Sequence, residues 1–291
     1  MAVAATMVAP KIFRFKSPET AILGVQLYSV RDDMKKDAAG TLKKIAGMGY
    51  RHVEHAGYHD GKFYGYTPEE FKKLLKDLDL QMASGHNALT HEAWDTTKND
   101  FTDAWKQTID ASAAVGLKYM ISPGVDETYC TNMDDFKRYM DMHNKTGELC
   151  KKAGFHFAFH NESYEFNHSL DGKQLYELVL ALCDKDLVAQ QIDIGNMYEP
   201  GGRAMFYLKK YSGRFSLMHV KDELKKDPAP TSGNMYESCE LGKGVVGIKE
   251  IIDYARKTGT KYFIIEQEDY QGMPPIDSVK DDLKVMKGWG F

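Results

Sequence analysis

Strand-like and helix-like segments alternate along the chain from about residue 22 to its end. Short apolar runs, bounded by turn residues, lie at 22–28, 50–55, 81–86, 118–122, 155–160, 188–193, 215–220 and 261–266. Runs of this length read as strands buried on both faces, the habit of a parallel sheet. Between them the pattern predicts helices at 38–48, 67–78, 101–115, 133–153, 175–182, 204–211, 248–258 and 276–289. The segment Thr67-Pro-Glu-Glu70 is a helix start: a hydroxyl cap, proline in the first turn, and acids facing the positive end of the dipole. The stretches 87–99 and 222–240 are expected to be polar loops. Eight strand–helix pairs without a Pro/Gly/Ser-rich linker predict a single (β/α)8 TIM barrel over 21–291. An open doubly wound sheet is the alternative. Residues 1–20 form an N-terminal extension, small and apolar at first, like a signal remnant that lacks a basic start.

Composition narrows the partners. A net charge of −4 over 291 residues gives no basic footprint for nucleic acid or an anionic membrane. No apolar run approaches the roughly 20 residues that span a bilayer. A small-molecule ligand is the expected partner, a homo-oligomer is compatible with the sequence, and both a cytoplasmic and an exported, periplasmic location stay open. Cys130, Cys150, Cys183 and Cys239 show no Cys-x-x-Cys spacing and read as buried thiols. Gly242-Lys-Gly-Val-Val-Gly247 does not follow a strand, so it reads as a turn and helix start able to touch an anion, not as a nucleotide site.

The chemistry sits where strands end. Phe215-Ser-Leu-Met-His-Val-Lys-Asp222 delivers His219 and Lys221, the sixth strand ends in Asp193, and the eighth ends in Glu266, with Glu268 beyond. In a barrel such residues share one mouth, whatever their distance in sequence. Gln26, Tyr28, Glu54, His55 and His86 join them as substrate-binding candidates, and His160, Glu162 and Glu165 come from the fifth strand and its loop. So many acids and imidazoles together would repel unless a cation relieved them. The set of N and O donors, without cysteine, suits Mn, Mg, Co or Zn. Each residue has a plainer reading: Asp193 as a turn cap, His219 as a core histidine, Glu266 and Glu268 as a solvated acidic run. His59, His91 and His143 are expected at the surface.

Taken in order, Gly24-Val-Gln-Leu-Tyr-Ser29, His160-Asn161, Asp193-Ile-Gly-Asn196, His219-Val-Lys-Asp222, Leu241-Gly-Lys-Gly244 and Ile265-Glu-Gln-Glu268 resemble the xylose isomerase-like sugar phosphate isomerase/epimerase superfamily. The resemblance covers nearly all of the chain after residue 20. It implies a divalent metal ion held by Asp193, His219 and Glu266, and the Asp193-to-His219 separation is also that of sugar epimerases in this superfamily. The fourth ligand is where the chain departs: the nearest branch reads His-Asn-His and then Phe-Glu-Phe, against His160-Asn-Glu162 and Tyr164-Glu-Phe166 here. Glu165 keeps the later acid and is taken as the fourth metal ligand, ahead of Glu162 and His160.

On this reading the enzyme removes a proton next to the carbonyl of a keto-sugar. Glu162 and His160 are candidate bases, Glu268 a further one, and Lys221 stabilises the oxyanion. Isomerisation or epimerisation is the expected outcome, and lyase or dehydratase chemistry through the same first step is the alternative. A sugar-binding barrel without catalysis and an endonuclease IV-like nuclease are the remaining rivals.

Overall fold

The structure, a computed structural model, describes residues 21–291; the predicted N-terminal extension lies outside the described residues. Eight parallel strands close into a barrel: β1 Ile22–Gln26, β2 His52–His55, β3 Gln81–His86, β4 Tyr119–Pro123, β5 His156–His160, β6 Val188–Asp193, β7 Phe215–Val220 and β8 Tyr262–Ile265. Each pairs with its sequence neighbours, and β8 pairs with β1 to complete the ring. The helices that follow them are α1 Ala38–Met48, α2 Pro68–Asp77, α3 Asp103–Val115, α4 Met133–Lys152, α5 Leu175–Leu182, α6 Ala204–Lys210, α7 Ile248–Thr258 and α8 Pro275–Gly288. Thr67 and Glu70 form the reciprocal capping box at the start of α2.

The main core lies between sheet and helices and includes Phe71, Phe136, Phe157, Phe159 and Phe263, all fully buried. A second, smaller cluster of Ile121, Ala158 and Leu217 packs with Tyr119 and Tyr262. Tyr119 and Tyr262 meet with ring centroids 5.3 Å apart although β4 and β8 are not neighbours. Only side chains pointing into the barrel can do that, so this cluster is its apolar floor. Above it the interior turns polar, with Gln26, Glu54, Ser84, Gln191 and His219 fully buried.

Three expectations change. The loop at 222–240 contains an antiparallel hairpin, Asp222–Lys225 with Tyr236–Cys239. Its residues are mostly polar on both faces, so no hydrophobic alternation announces it. The stretch 87–99 likewise holds a turn of 3-10 helix and Trp94–Asp95, which pairs with Asp100–Phe101. His143 is fully buried on the inner face of α4, unlike the exposed His59 and His91. Its Nδ1 donates to Tyr139 O at 3.0 Å, and its ring packs on Tyr139, Phe157 and Phe159. Burial pushes its pKa down to about 4, so it serves as a neutral core ring.

Gly242–Gly247 does touch an anion, and the anion is the chain's own. The Asp222 carboxylate accepts from the backbone amides of Gly242, Gly244 and Val246 at 2.9–3.2 Å, and from Glu223 N at 3.0 Å. A Cβ on Gly244 would lie 2.3 Å from Asp222 Oδ1, so glycine is required for the backbone to wrap this closely. All four cysteines are free thiols, three of them buried.

Candidate metal centre

Strand register assembles the centre. Asp193 and His219 are partner positions on β6 and β7, so their side chains emerge side by side. Asn161, just past the end of β5, fixes Asp193: its Oδ1 accepts from Asp193 N at 3.0 Å, and its Nδ2 donates to Asp193 O at 3.1 Å. Asp193 Oδ1 accepts from Gly195 N and Asn196 N at 2.8 and 2.7 Å, an Asx turn. Its other oxygen, Oδ2, is buried with no hydrogen-bond partner. One oxygen caps the turn while the other is aimed at the site.

His219 lies between acids. Its Nδ1 is 3.0 Å from Glu266 Oε2 and 3.6 Å from Asp193 Oδ2, and its Nε2 is 2.5 Å from Glu54 Oε1. Burial alone would lower its pKa, but Glu266 and Glu54 raise it well above the ordinary value. Burial opposes the charge on Glu54 and Glu266 too. Cationic His219, with His86 for Glu54 and Lys221 for Glu266, holds both acids well below the usual carboxylate range.

Glu54 sits at the centre of a sealed network. It accepts from Gln26 Nε2 at 2.8 Å, from Gln191 Nε2 at 2.8 Å and from Ser84 Oγ, and His86 Nε2 is 3.1 Å away. The amide oxygen of Gln191 then faces His160 Nδ1 at 2.9 Å and His86 Nε2 at 3.0 Å. A carbonyl only accepts, so His160 Nδ1 donates to it and the ring turns Nε2 away from Gln191. That Nε2 lies 3.9 Å from Asp193 Oδ2.

Ligand atoms of Asp193, His219 and Glu266 all lie within 4.8 Å of one another, as do ring nitrogens of His86, His160 and His219. Hard oxygen and imidazole donors around a buried, orphaned carboxylate oxygen fit a divalent ion. Glu165 is not brought to this group. Its two oxygens each accept a backbone amide at 2.8 Å, from Val125 N and Glu162 N, and so tie the loops after β4 and β5 together. Burial raises its pKa to about 7.

The remaining candidates divide. Lys221 ion-pairs directly with Glu268, donates to Asn196 Oδ1 at 2.8 Å and lies 3.6 Å from Glu266 Oε2. Glu162 is half-exposed, accepts from Asn196 Nδ2 at 2.7 Å and approaches His160 Nε2 at 3.6 Å. Lys221, Glu162 and Glu268 line one polar cavity of about 530 Å³. Tyr28 is exposed beside Arg31 and Tyr64 in a separate cleft, and His86 borders another with Asn87 and Trp105. Gln26, Glu54 and His55 are fully buried and offer no open face to a ligand. The ring of His55 fills the space above Gly85, where a Cβ would lie 1.9 Å from it. Its pKa falls to about 3, chiefly through burial. Gln191 and Ser84 were missed in the sequence. The period-two step from Gln191 to Asp193 was the available signal for the first.

Residues 42–289 match the family model described as a xylose isomerase-like TIM barrel. The chain belongs to that family. It is 26% identical over 181 residues to an inosose dehydratase of Clostridium perfringens (strain 13 / Type A), covering 58% of this chain and 60% of the relative. It therefore spans about 60% of the length of that curated relative. A sugar phosphate isomerase/epimerase from Parabacteroides distasonis superposes with a TM-score of 0.76 at 24% identity, over 92% of this chain and 96% of the other. The IOLI protein, crystallised with a zinc atom, superposes at 0.70 with 13% identity, over 92% and 97%. At these identities the two structures speak for the fold. Among the described residues no helix is long and apolar enough to cross a membrane.

Proposed function

We propose that the chain is a divalent-metal-dependent enzyme that removes a proton from the carbon next to the carbonyl of a keto-sugar or related polyol ketone. Family membership supports an enzyme acting on a sugar-like small molecule. One observation carries the finer reading: Asp193 Oδ2 is buried without a partner, facing His219 and His160, beside a polar cavity lined by Glu162 and Lys221. Asp193, His219 and Glu266 are the ligands, and His160 replaces Glu165 as the fourth because its Nε2 faces that oxygen. A divalent ion held there would polarise the substrate carbonyl and acidify the adjacent C–H.

The chain's own groups then divide the work. Glu162, oriented by Asn196, is the base that takes the proton. Lys221 stays charged between Glu268, Asn196 and Glu266, and it meets the negative charge that develops on the substrate oxygen. Glu268 aligns Lys221 and is not itself the base. Loss of a β-hydroxyl after proton removal is favoured over epimerisation, since the curated relative that shares 181 residues is a dehydratase. A nuclease reading finds little support, because the mouth is lined by carboxylates that would repel a phosphodiester backbone.

Deuterium exchange into a panel of keto-sugars, followed by NMR with the ion-loaded protein, tests the shared first step. Exchange at the carbon next to the carbonyl is expected. A full panel that shows none overturns the proposal.

A further inference from the structure

The cavity beside the candidate ion site is walled by Glu162, Glu199, Glu223, Glu237, Glu268 and Asp269. Lys221 is the one cation among its described lining residues, and its charge is already engaged by Glu268 and Glu266. Phosphate and carboxylate groups are commonly held by an arginine fork, a free lysine or a cluster of backbone amides. Here Asp222 occupies the amide cluster of Gly242–Val246. Apart from the proposed ion, which the carbonyl end of the substrate would occupy, an anionic substituent entering this mouth meets like charge from several sides and no unengaged cationic side chain among the lining residues.

Glu223 adds a second, independent observation. Its side chain lines the cavity from the start of the Asp222–Lys225 strand, yet the residue is only 7% exposed. Among the described residues its carboxyl has no side-chain hydrogen-bond partner. It lies against Gly195 next to Lys221: a Cβ on Gly195 would stand 2.9 Å from Glu223 Oε1 and 2.6 Å from Lys221 Cγ. Burial raises its pKa to about 8, against the opposing pull of Lys221 and with help from Asp193, Glu268 and Asp269. Its carboxyl is a nearly buried hydrogen-bonding group among the other acidic groups of the wall, and the hydroxyls of a polyhydroxylated ligand can meet such groups.

Resting on the keto-sugar reading and narrowing it, we propose that the substrate is an uncharged polyhydroxylated ketone without phosphate or carboxylate, and that Glu223 hydrogen-bonds one of its hydroxyls. This sets the chain apart from a barrel that handles sugar phosphates. It also names the residue that would sense the hydroxyl pattern.

The test uses matched pairs: uncharged ketoses and 3-keto-hexosides against their phosphate esters and carboxylate analogues. Deuterium exchange with the ion-loaded full chain should proceed on uncharged members, with kcat/KM at least about a hundredfold lower for their charged partners. Calorimetry of a neutral polyol and its phosphate ester with the unloaded chain should give the same order without turnover. Phosphate esters that exchange or bind as well as their neutral partners overturn this inference and leave proton abstraction standing. No exchange from any member overturns the enzymatic reading beneath it. Glu223→Ala should raise KM about tenfold, the loss of one good hydrogen bond, and Glu223→Gln should recover most of it. An unchanged KM in Glu223→Ala removes Glu223 from the site.

Discussion

Glu54 Oε1 stands 2.5 Å from His219 Nε2, in the sealed interior of the barrel, while His219 Nδ1 faces Glu266 and Asp193. The two nitrogens thus have separate duties. On the proposed ligand set, an ion that displaced the proton on Nδ1 would leave the other proton held on Nε2 by Glu54, the carboxylate–histidine arrangement that orients metal-binding imidazoles. Glu54→Gln should weaken divalent-ion affinity by roughly 10–100-fold, read by calorimetric titration of the purified protein. An unchanged affinity would detach Glu54 from the centre.

Asp193 and Glu162 should separate binding from chemistry. Asp193→Asn can keep the Asx turn through its remaining oxygen but replaces the orphaned Oδ2 with an amide group. On the proposed ligand set, ion retention should fall at least about a hundredfold, since a direct ligand would be lost where even an outer partner is worth 10–100-fold. Glu162→Gln should leave the ion bound and slow substrate C–H exchange by about 10²–10⁴, the usual span for removing a general base. Elemental analysis and exchange rates on the same samples decide. A Glu162→Gln protein that exchanges at full rate needs another base.

Away from the site, Asp282 makes a pH-dependent prediction. It is fully buried on α8, accepts from Leu241 N at 2.8 Å through Oδ1, and leaves Oδ2 unpartnered. Burial, with Glu240 and Asp281 nearby, raises its pKa to about 7, whereas in an unfolded chain it titrates near ~3.9. As pH rises between these values the unfolded state gives up this proton first, so folding stability falls across that window and levels off above it. Asp282→Asn should flatten that fall and gain up to about 4 kcal/mol at pH 8, an upper bound set by the gap between the folded and unfolded values. Urea denaturation at pH 5 and pH 8 measures it; an equal loss of stability in wild type and variant would refute it.

The self-capped loop offers a structural check. Asp222 satisfies four backbone amides. Asp222→Ala should cost about 2–4 kcal/mol, from several buried donors left unpaired. Hydrogen exchange should show the loss first at residues 242–246. Protection spread evenly over the chain would mean the loop was not held by this carboxylate.

How far the sequence could be read depended on which force acts at each place. Strand and helix order follows from local apolar patterning and caps such as Thr67–Glu70, so the barrel was legible from the alternation of segments. That strand-end acids and histidines converge follows from barrel geometry, and the closeness of Asp193, His219 and Glu266 agrees with it. The hairpin inside 222–240 was not legible, because its pairing rests on backbone hydrogen bonds between polar residues. His143 was misplaced for the opposite reason: a polar residue on an otherwise amphipathic helix gives no sign that its ring packs among aromatics.

By itself, the sequence determined the eight-stranded barrel, the polarity of its mouth and the set of ionisable side chains delivered there, since these depend on periodicity and residue type. Tertiary structure alone decided which atoms are free to bind. It gave both oxygens of Glu165 to backbone amides and kept one oxygen of Asp193 unpartnered. It also drew Glu54 inside to hold His219, and turned Asp222 toward the glycine loop. Each of those outcomes depends on which donors lie within about 3 Å of a given oxygen, and that distance exists only once strands far apart in the chain are side by side.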